Sequence, residues 1–149
     1  MQNDNQKKLL RHYLIINLPG IIAFIILYML GKFNAEIFWD LRYKWLPITM
    51  ILAEGIFAIL LPLWYRIHFV NRKKAHKQTE KQEFIKFEKN FLSLASVSVY
   101  ILVAGYLTGL PKIPFAVMVI FVIYALYFYF PGEKRVRSEQ KIFRVIDNN

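Results

Sequence analysis

WLPITMILAEGIFAILLPLW, residues 45–64, carries a single charged side chain, Glu54, in twenty residues. Whether this stretch lies in water or in hydrocarbon decides the fold. A small soluble core buries short apolar runs, whereas uninterrupted runs of about 18 or more read as helices that cross a membrane. Three further stretches have the same character: YLIINLPGIIAFIILYML (13–30), FLSLASVSVYILVAGYLTGL (91–110), and the shorter FAVMVIFVIYALYFYF, which with Ile113 and Pro114 fills 113–130. At about 1.5 Å per residue each helix approaches the ~30 Å of a hydrocarbon core. None alternates apolar and polar residues as a barrel strand does. Backbone amides in lipid must be satisfied within the segment, which leaves the helix. The expected fold is all-α: a polytopic, four-helix transmembrane bundle with short interfacial helices, one membrane domain over residues 1–149.

The composition agrees. Of 149 residues 56% are apolar, mean hydropathy is +0.32, and the 20% that are charged fall in blocks between the apolar stretches. There is no cysteine, which excludes disulfides, palmitoylation, thiolate metal sites and cysteine nucleophiles. Net charge is +10. In a soluble domain that would point to nucleic acid. Here the basic blocks flank apolar stretches, so anionic lipid headgroups are the expected partner and nucleic acid is not.

Lys and Arg also give an orientation. Residues 1–12, 66–90 and 131–149 hold sixteen of them; the other connections hold four, Lys32, Arg42, Lys44 and Lys112. The positive-inside rule then places both termini and the central loop in the cytoplasm of an inner membrane. The first span is expected to be a retained anchor, because its apolar run exceeds the about 7–15 residues of a signal peptide and no small-x-small site follows.

The connections carry expectations of their own. Residues 33–44, with Phe33, Ile37 and Leu41 on one stripe, read as an amphipathic turn at the outer interface. Residues 66–90 contain no Gly or Pro, so spans two and three are expected to extend as helices and meet in a polar hairpin near 76–82. LPKIP (110–114) reads as a tight turn joining antiparallel neighbours. The tail, 133–149, places Val136, Ile142, Phe143 and Ile146 as the apolar positions of a basic amphipathic helix lying on the inner leaflet. Arg72, Lys73, Lys74, Lys77, Lys134, Arg135 and Arg137 are the expected lipid- or partner-binding residues.

Glu54 is the candidate site. A charge at mid-span costs roughly 2.5–3.5 kcal/mol on insertion scales, so the carboxyl must be protonated, paired or beside a wet cavity. It serves as a proton- or cation-binding group, as a hydrogen-bonding group that fixes helix packing, or as a contact for a partner protein. Matching depth brings Ser98, Tyr100 and Tyr124 to its level, and Asn17 beside Pro19 and Gly20 marks a break in span one. Gly55 and Ala58 thin the same side of span two, and Gly105 with Gly109 forms a small-xxx-small pair on span three; together they are the expected helix interface. His12 and His68 stand at the inner rim beside arginines, where headgroup contact is expected rather than haem ligation. No metal-ligand or catalytic spacing is present, and neither enzyme activity nor a cofactor is expected. The leading functional expectation is a small inner-membrane subunit or scaffold that assembles with itself or a membrane-protein partner. The runner-up is a small proton- or ion-linked transporter or channel using Glu54; a membrane-permeabilising effector is a third.

Overall fold

A computed structural model describes residues 4–32, 44–73 and 79–146 of the chain. Over these the protein is almost entirely helical: α1 (Asp4–Lys32), α2 (Leu46–Gly55), a π-helical turn (Ile56–Leu60), α3 (Leu61–Lys73), α4 (Lys81–Leu107), α5 (Lys112–Phe128) and α6 (Glu133–Ile142), with two-residue strands β1 (Thr79–Glu80) and β2 (Val145–Ile146). Three helices are long and apolar enough to cross a membrane: α1, the continuous α2–π–α3 rod Leu46–Lys73, and α4. At 28 residues the rod is about 42 Å long. α5 alone has 17 residues, about 25 Å, and with α6 it passes the same test as a pair bent by 71°. Residues 33–43 of the amphipathic turn expected at 33–44, and 76–78 of the hairpin expected near 76–82, lie outside those described; 79–80 form β1 and 81–82 open α4.

The π turn has a local cause. Pro62 has no N–H to donate to the Ala58 carbonyl, and its ring would clash with that carbonyl in a regular α-helix. The rod widens just before it, where the Leu61 N–H donates to the Ile56 carbonyl five residues back. Pro19 is handled differently. It sits inside a continuous α1 and loosens the carbonyls of the preceding turn. The Tyr100 hydroxyl on α4 donates to one of them, Ile16 O, at 2.6 Å. One residue on, a Cβ at Gly20 would stand 2.8 Å from Val99 Cγ1, so the absence of a side chain is what lets α1 and α4 approach there. The pairs His12–Ser93, Ile16–Tyr100 and Phe24–Tyr106 show the two helices running parallel.

α4 ends at Leu107, capped by Thr108 and followed by Gly109, whose φ of 65° lies where side-chain-bearing residues are strained. Leu110 N–H returns to the Gly105 carbonyl at 3.4 Å, closing the helix end, and α5 begins two residues later. The far end of α5 is closed by side chains. Tyr13 Oη donates to Leu126 O at 2.8 Å, and the Arg135 guanidinium donates to the carbonyls of Tyr129 and Phe130.

Beyond that end the chain turns back, and here the structure corrects the sequence reading of the tail. α6 packs into a cap formed with the lower parts of α3 and α4. Val136 and Phe143 are buried in the same apolar cluster as Leu9, Phe84, Phe87 and Phe91. Phe87 stacks on Phe69 at 4.0 Å and on Tyr65 at 5.4 Å, and meets Phe143 edge-on at 5.6 Å. β1 and β2 pair in parallel, Thr79 against Val145. Of the expected apolar stripe, Val136 and Phe143 turn inward while Ile142 stays exposed. The reason is that aromatic side chains at the foot of α3 and α4 present a larger apolar surface to the tail than its own periodicity reveals.

Candidate functional site

The buried side chains form two apolar clusters. The lower holds Tyr13, Ala58, Ala95 and Ala125 among others; the upper holds Val99, Leu102, Met118 and Val122, with Ile21, Met50 and Ile51 packed against it. Four buried polar residues separate them along their helices. Asn17 lies between Tyr13 and Ile21 on α1. Glu54 lies between Ile51 and Ala58 on the rod, and Ser96 and Ser98 lie between Ala95 and Val99 on α4. Glu54 and Ser98 are 0% exposed, Asn17 2% and Ser96 3%.

The hydrogen bonds within this layer are local. Ser96 Oγ donates to Leu92 O at 2.8 Å, Ser98 Oγ to Ala95 O at 2.8 Å, and Asn17 Nδ2 to Tyr13 O at 2.9 Å. Three atoms are left without a partner: Asn17 Oδ1 and both carboxyl oxygens of Glu54. All three are acceptors, so what would satisfy them is a donor or a cation. Asn17, Ser96 and Ser98 line about 160 Å³ of empty space with Tyr13 and Ala125, in which no water-sized sphere fits.

The structure therefore brings together some of the sequence candidates and separates others. Asn17 and Ser98 share a cavity. The hydrogen bond expected from Glu54 toward α4 is absent, because Ser98 serves its own helix. Tyr100, 44% exposed, serves the backbone of α1. Tyr124, 41% exposed, stacks on Phe128 at 5.4 Å and faces outward. Gly55 lies against Phe121 of α5, where a Cβ would stand 3.9 Å from Cζ. Ala58 joins Ala95 and Ala125 in the lower cluster. Gly105 faces Met118 of α5 and Leu110, with a Cβ 2.9 Å from Met118 Cε, and Gly109 terminates α4. The two glycines of the small-xxx-small pair thus have different structural roles.

The basic end holds a second polar assembly, four charged groups from three helices. Arg66 Nη2 meets Glu139 Oε1 at 2.9 Å, and Arg135 Nη2 meets Glu88 Oε2 at 3.3 Å. Arg135 also lies 5.5 Å from the centre of the Phe91 ring, a cation–π distance. The sequence reading placed Arg135 toward lipid; in the structure it is directed inward. A signal existed: Glu88 occupies the stripe of α4 that carries Phe84, Phe87 and Phe91, and an acid on an aromatic stripe calls for a buried cation. Among the other expected lipid-facing bases, Lys73 pairs with Glu83 and Arg137 with Glu133 at 2.6 Å. Arg72 and Lys134 are exposed, and Lys74 and Lys77 lie outside the described residues.

Glu88 stands one turn before the apolar part of α4. Burial pushes its carboxyl from 4.5 up to about 7, against the pull of Arg135 and Arg66 and with a smaller push from Glu139. A carboxyl whose folded value exceeds its unfolded one binds a proton more tightly when folded. Its contribution to stability is present in full below about 4.5 and is lost as pH rises through about 7. At roughly 1.4 kcal/mol per pH unit the whole effect is of order 3 kcal/mol. Melting curves of the wild type and Glu88→Gln at pH 5 and pH 8 check this: the wild type should lose stability relative to the variant at the higher pH.

His12 Nε2 lies 3.1 Å from Ser93 Oγ, and His68 stacks on Trp64 at 5.7 Å. No group of three His, Asp or Glu side chains placed to hold a metal ion occurs among the described residues.

These features define a class: a helical protein with three to four helices long and apolar enough to span a membrane, a buried polar layer at mid-height and an ion-paired cap at one end. Compared with family models, curated protein sequences and solved structures, the chain matches none of them.

Proposed function

We propose that the chain is a four-span inner-membrane protein with both termini cytoplasmic, acting as a non-catalytic subunit or scaffold of a membrane assembly. The observation that carries the reading is the tight packing around Asn17, Ser96 and Ser98: the space they line with Tyr13 and Ala125 admits no water-sized sphere, so this part of a single copy is packed as a structural unit. The sixteen-to-four distribution of Lys and Arg supports the orientation. Assembly with a second copy or another membrane protein is tested by crosslinking in native membranes followed by native mass spectrometry in mild detergent. A discrete oligomer or a stoichiometric partner is expected; a strictly monomeric chain with no companion overturns the reading.

The three unpartnered acceptors at Glu54 and Asn17 favour a second reading, in which Glu54 takes up a proton or a small cation as part of transport. Reconstituted vesicles decide between the two. Proton or cation flux that disappears in Glu54→Gln replaces the scaffold with the transporter; vesicles as tight as protein-free controls leave the scaffold standing.

A further inference from the structure

We propose that the groove between the foot of α1 and the foot of α4 seats the phosphate of an anionic phospholipid headgroup. The proposal rests on the membrane reading above.

The groove has a volume of about 470 Å³ and is lined by Lys8 and His12 of α1 and by Ile85, Lys86, Lys89 and Asn90 of α4. Three lysines from two helices converge on it. Four other cations of the basic end have carboxylates: Arg66 has Glu139, Lys73 has Glu83, Arg135 has Glu88 and Arg137 has Glu133. Among the described residues no acid lies in ion-pairing range of Lys8, Lys86 or Lys89. The acids of α4 and α6 thus pair Arg66, Lys73 and Arg135 on the side of the cap facing α3, and the three lysines on the side facing α1 keep their charge. A phosphate diester supplies the missing anion and accepts from all three ammonium groups.

The walls of the groove are set. His12 Nε2 and Ser93 Oγ hold α1 to α4 at 3.1 Å, and Ser93 Oγ also donates to the Lys89 carbonyl at 2.9 Å. Burial, with the nearby Lys89 charge and against a backbone hydrogen bond at Lys89, holds the His12 ring below its ordinary value. Asn90 Nδ2 is taken by the Tyr65 hydroxyl at 3.2 Å, which fixes the side toward α3. The height is that of a headgroup: the groove ends where the apolar runs of α1 and α4 begin, at Tyr13 and Phe91. Along α4 the Lys86–Asn90 stripe continues at helical spacing through Leu94, Val97 and Ile101, all half-buried, a track for an acyl chain. Basic pockets between spans at the cytoplasmic face suit such headgroups, each Lys or Arg near the surface adding to the attraction.

The test is native mass spectrometry of the full chain in mild detergent with equimolar phosphatidylglycerol and phosphatidylcholine. A discrete phosphatidylglycerol adduct is expected, preferred by about tenfold or more. The preference should vanish in Lys8→Gln/Lys86→Gln/Lys89→Gln and survive in Lys134→Gln/Lys141→Gln/Arg144→Gln, which removes equal charge from the exposed tail; unchanged melting temperatures show that both variants fold. Displacement of the lipid by glycerol 1-phosphate assigns the seat to free phosphate compounds, whereas persistence assigns it to lipid. No preference in the wild type, or equal loss in the two triple variants, overturns the seat while leaving the membrane reading intact. A chain that stays monodisperse without detergent overturns the membrane reading itself.

Discussion

Glu54→Met is expected to raise the melting temperature of the detergent-solubilised protein by roughly 5–10 °C. Glu54 is 0% exposed and neither of its oxygens has a partner. A buried polar group left unpaired costs about 1–3 kcal/mol, whereas an apolar group of similar shape removes that cost. Methionine is unbranched, close to glutamate in length, and adapts to irregular space, so it suits the position without adding bulk. For a chain of this size each kcal/mol moves the melting point by roughly 2–4 °C. The direction of the shift reports on function. A rise means that the carboxyl is retained against the interest of stability, as a site for a proton, a cation or a partner group would be. A fall of comparable size means that a donor reaches Glu54 in the assembled protein, and the scaffold reading then gains a specific contact at the interface. Thermal unfolding of both forms, monitored by the fluorescence of Trp45 and Trp64, distinguishes the outcomes.

Phe87→Ala is expected to release the tail. Phe87 is 2% exposed and touches the rings of Tyr65, Phe69, Phe91 and Phe143. Removing it costs about 3–5 kcal/mol in a packed core, and the loss falls where α6 is held. Because the chain has no cysteine, single cysteines report cleanly. At Val136, 2% exposed, a cysteine should resist a membrane-impermeant maleimide in the parent and react at least tenfold faster with Phe87→Ala. A cysteine at the exposed Ile142 should react in both. Equal protection of the Val136 position in the two backgrounds would mean that the ion pairs of Arg66 and Arg135 hold the tail without the aromatic stack.

The apolar stretches were legible because hydrocarbon leaves a long, unambiguous signature. The segment 13–30 lies within α1, and 46–64 and 91–107 of the other two lie in the rod and in α4, the three helices long enough to cross a membrane; Trp45 and residues 108–110 fall outside them, and the extensions of spans two and three as helices are present to Lys73 and from Lys81. The widened turn before Pro62 was not foreseen, although the proline itself signals it. Depth matching put Tyr100 and Tyr124 at the height of Glu54, but height says nothing of rotation about the helix axis. Tyr100 is turned to the carbonyls that Pro19 loosens. Periodicity exposed an apolar stripe on the tail and could not say what covers it, since an amphipathic face meets lipid or protein with the same pattern. The cover is the Phe69–Phe87 stack, which Phe143 meets from 56 positions beyond Phe87.

The parallel pairing of β1 with β2 returns residues 145–146 to the start of α4, so the polypeptide from 79 to 146 forms a closed circuit through α4, α5 and α6. The Thr79 N–H donates to the Arg144 carbonyl at 3.4 Å, so the end of the described tail and the entry to α4 are joined backbone to backbone, and a substitution that unseats one is expected to loosen the other.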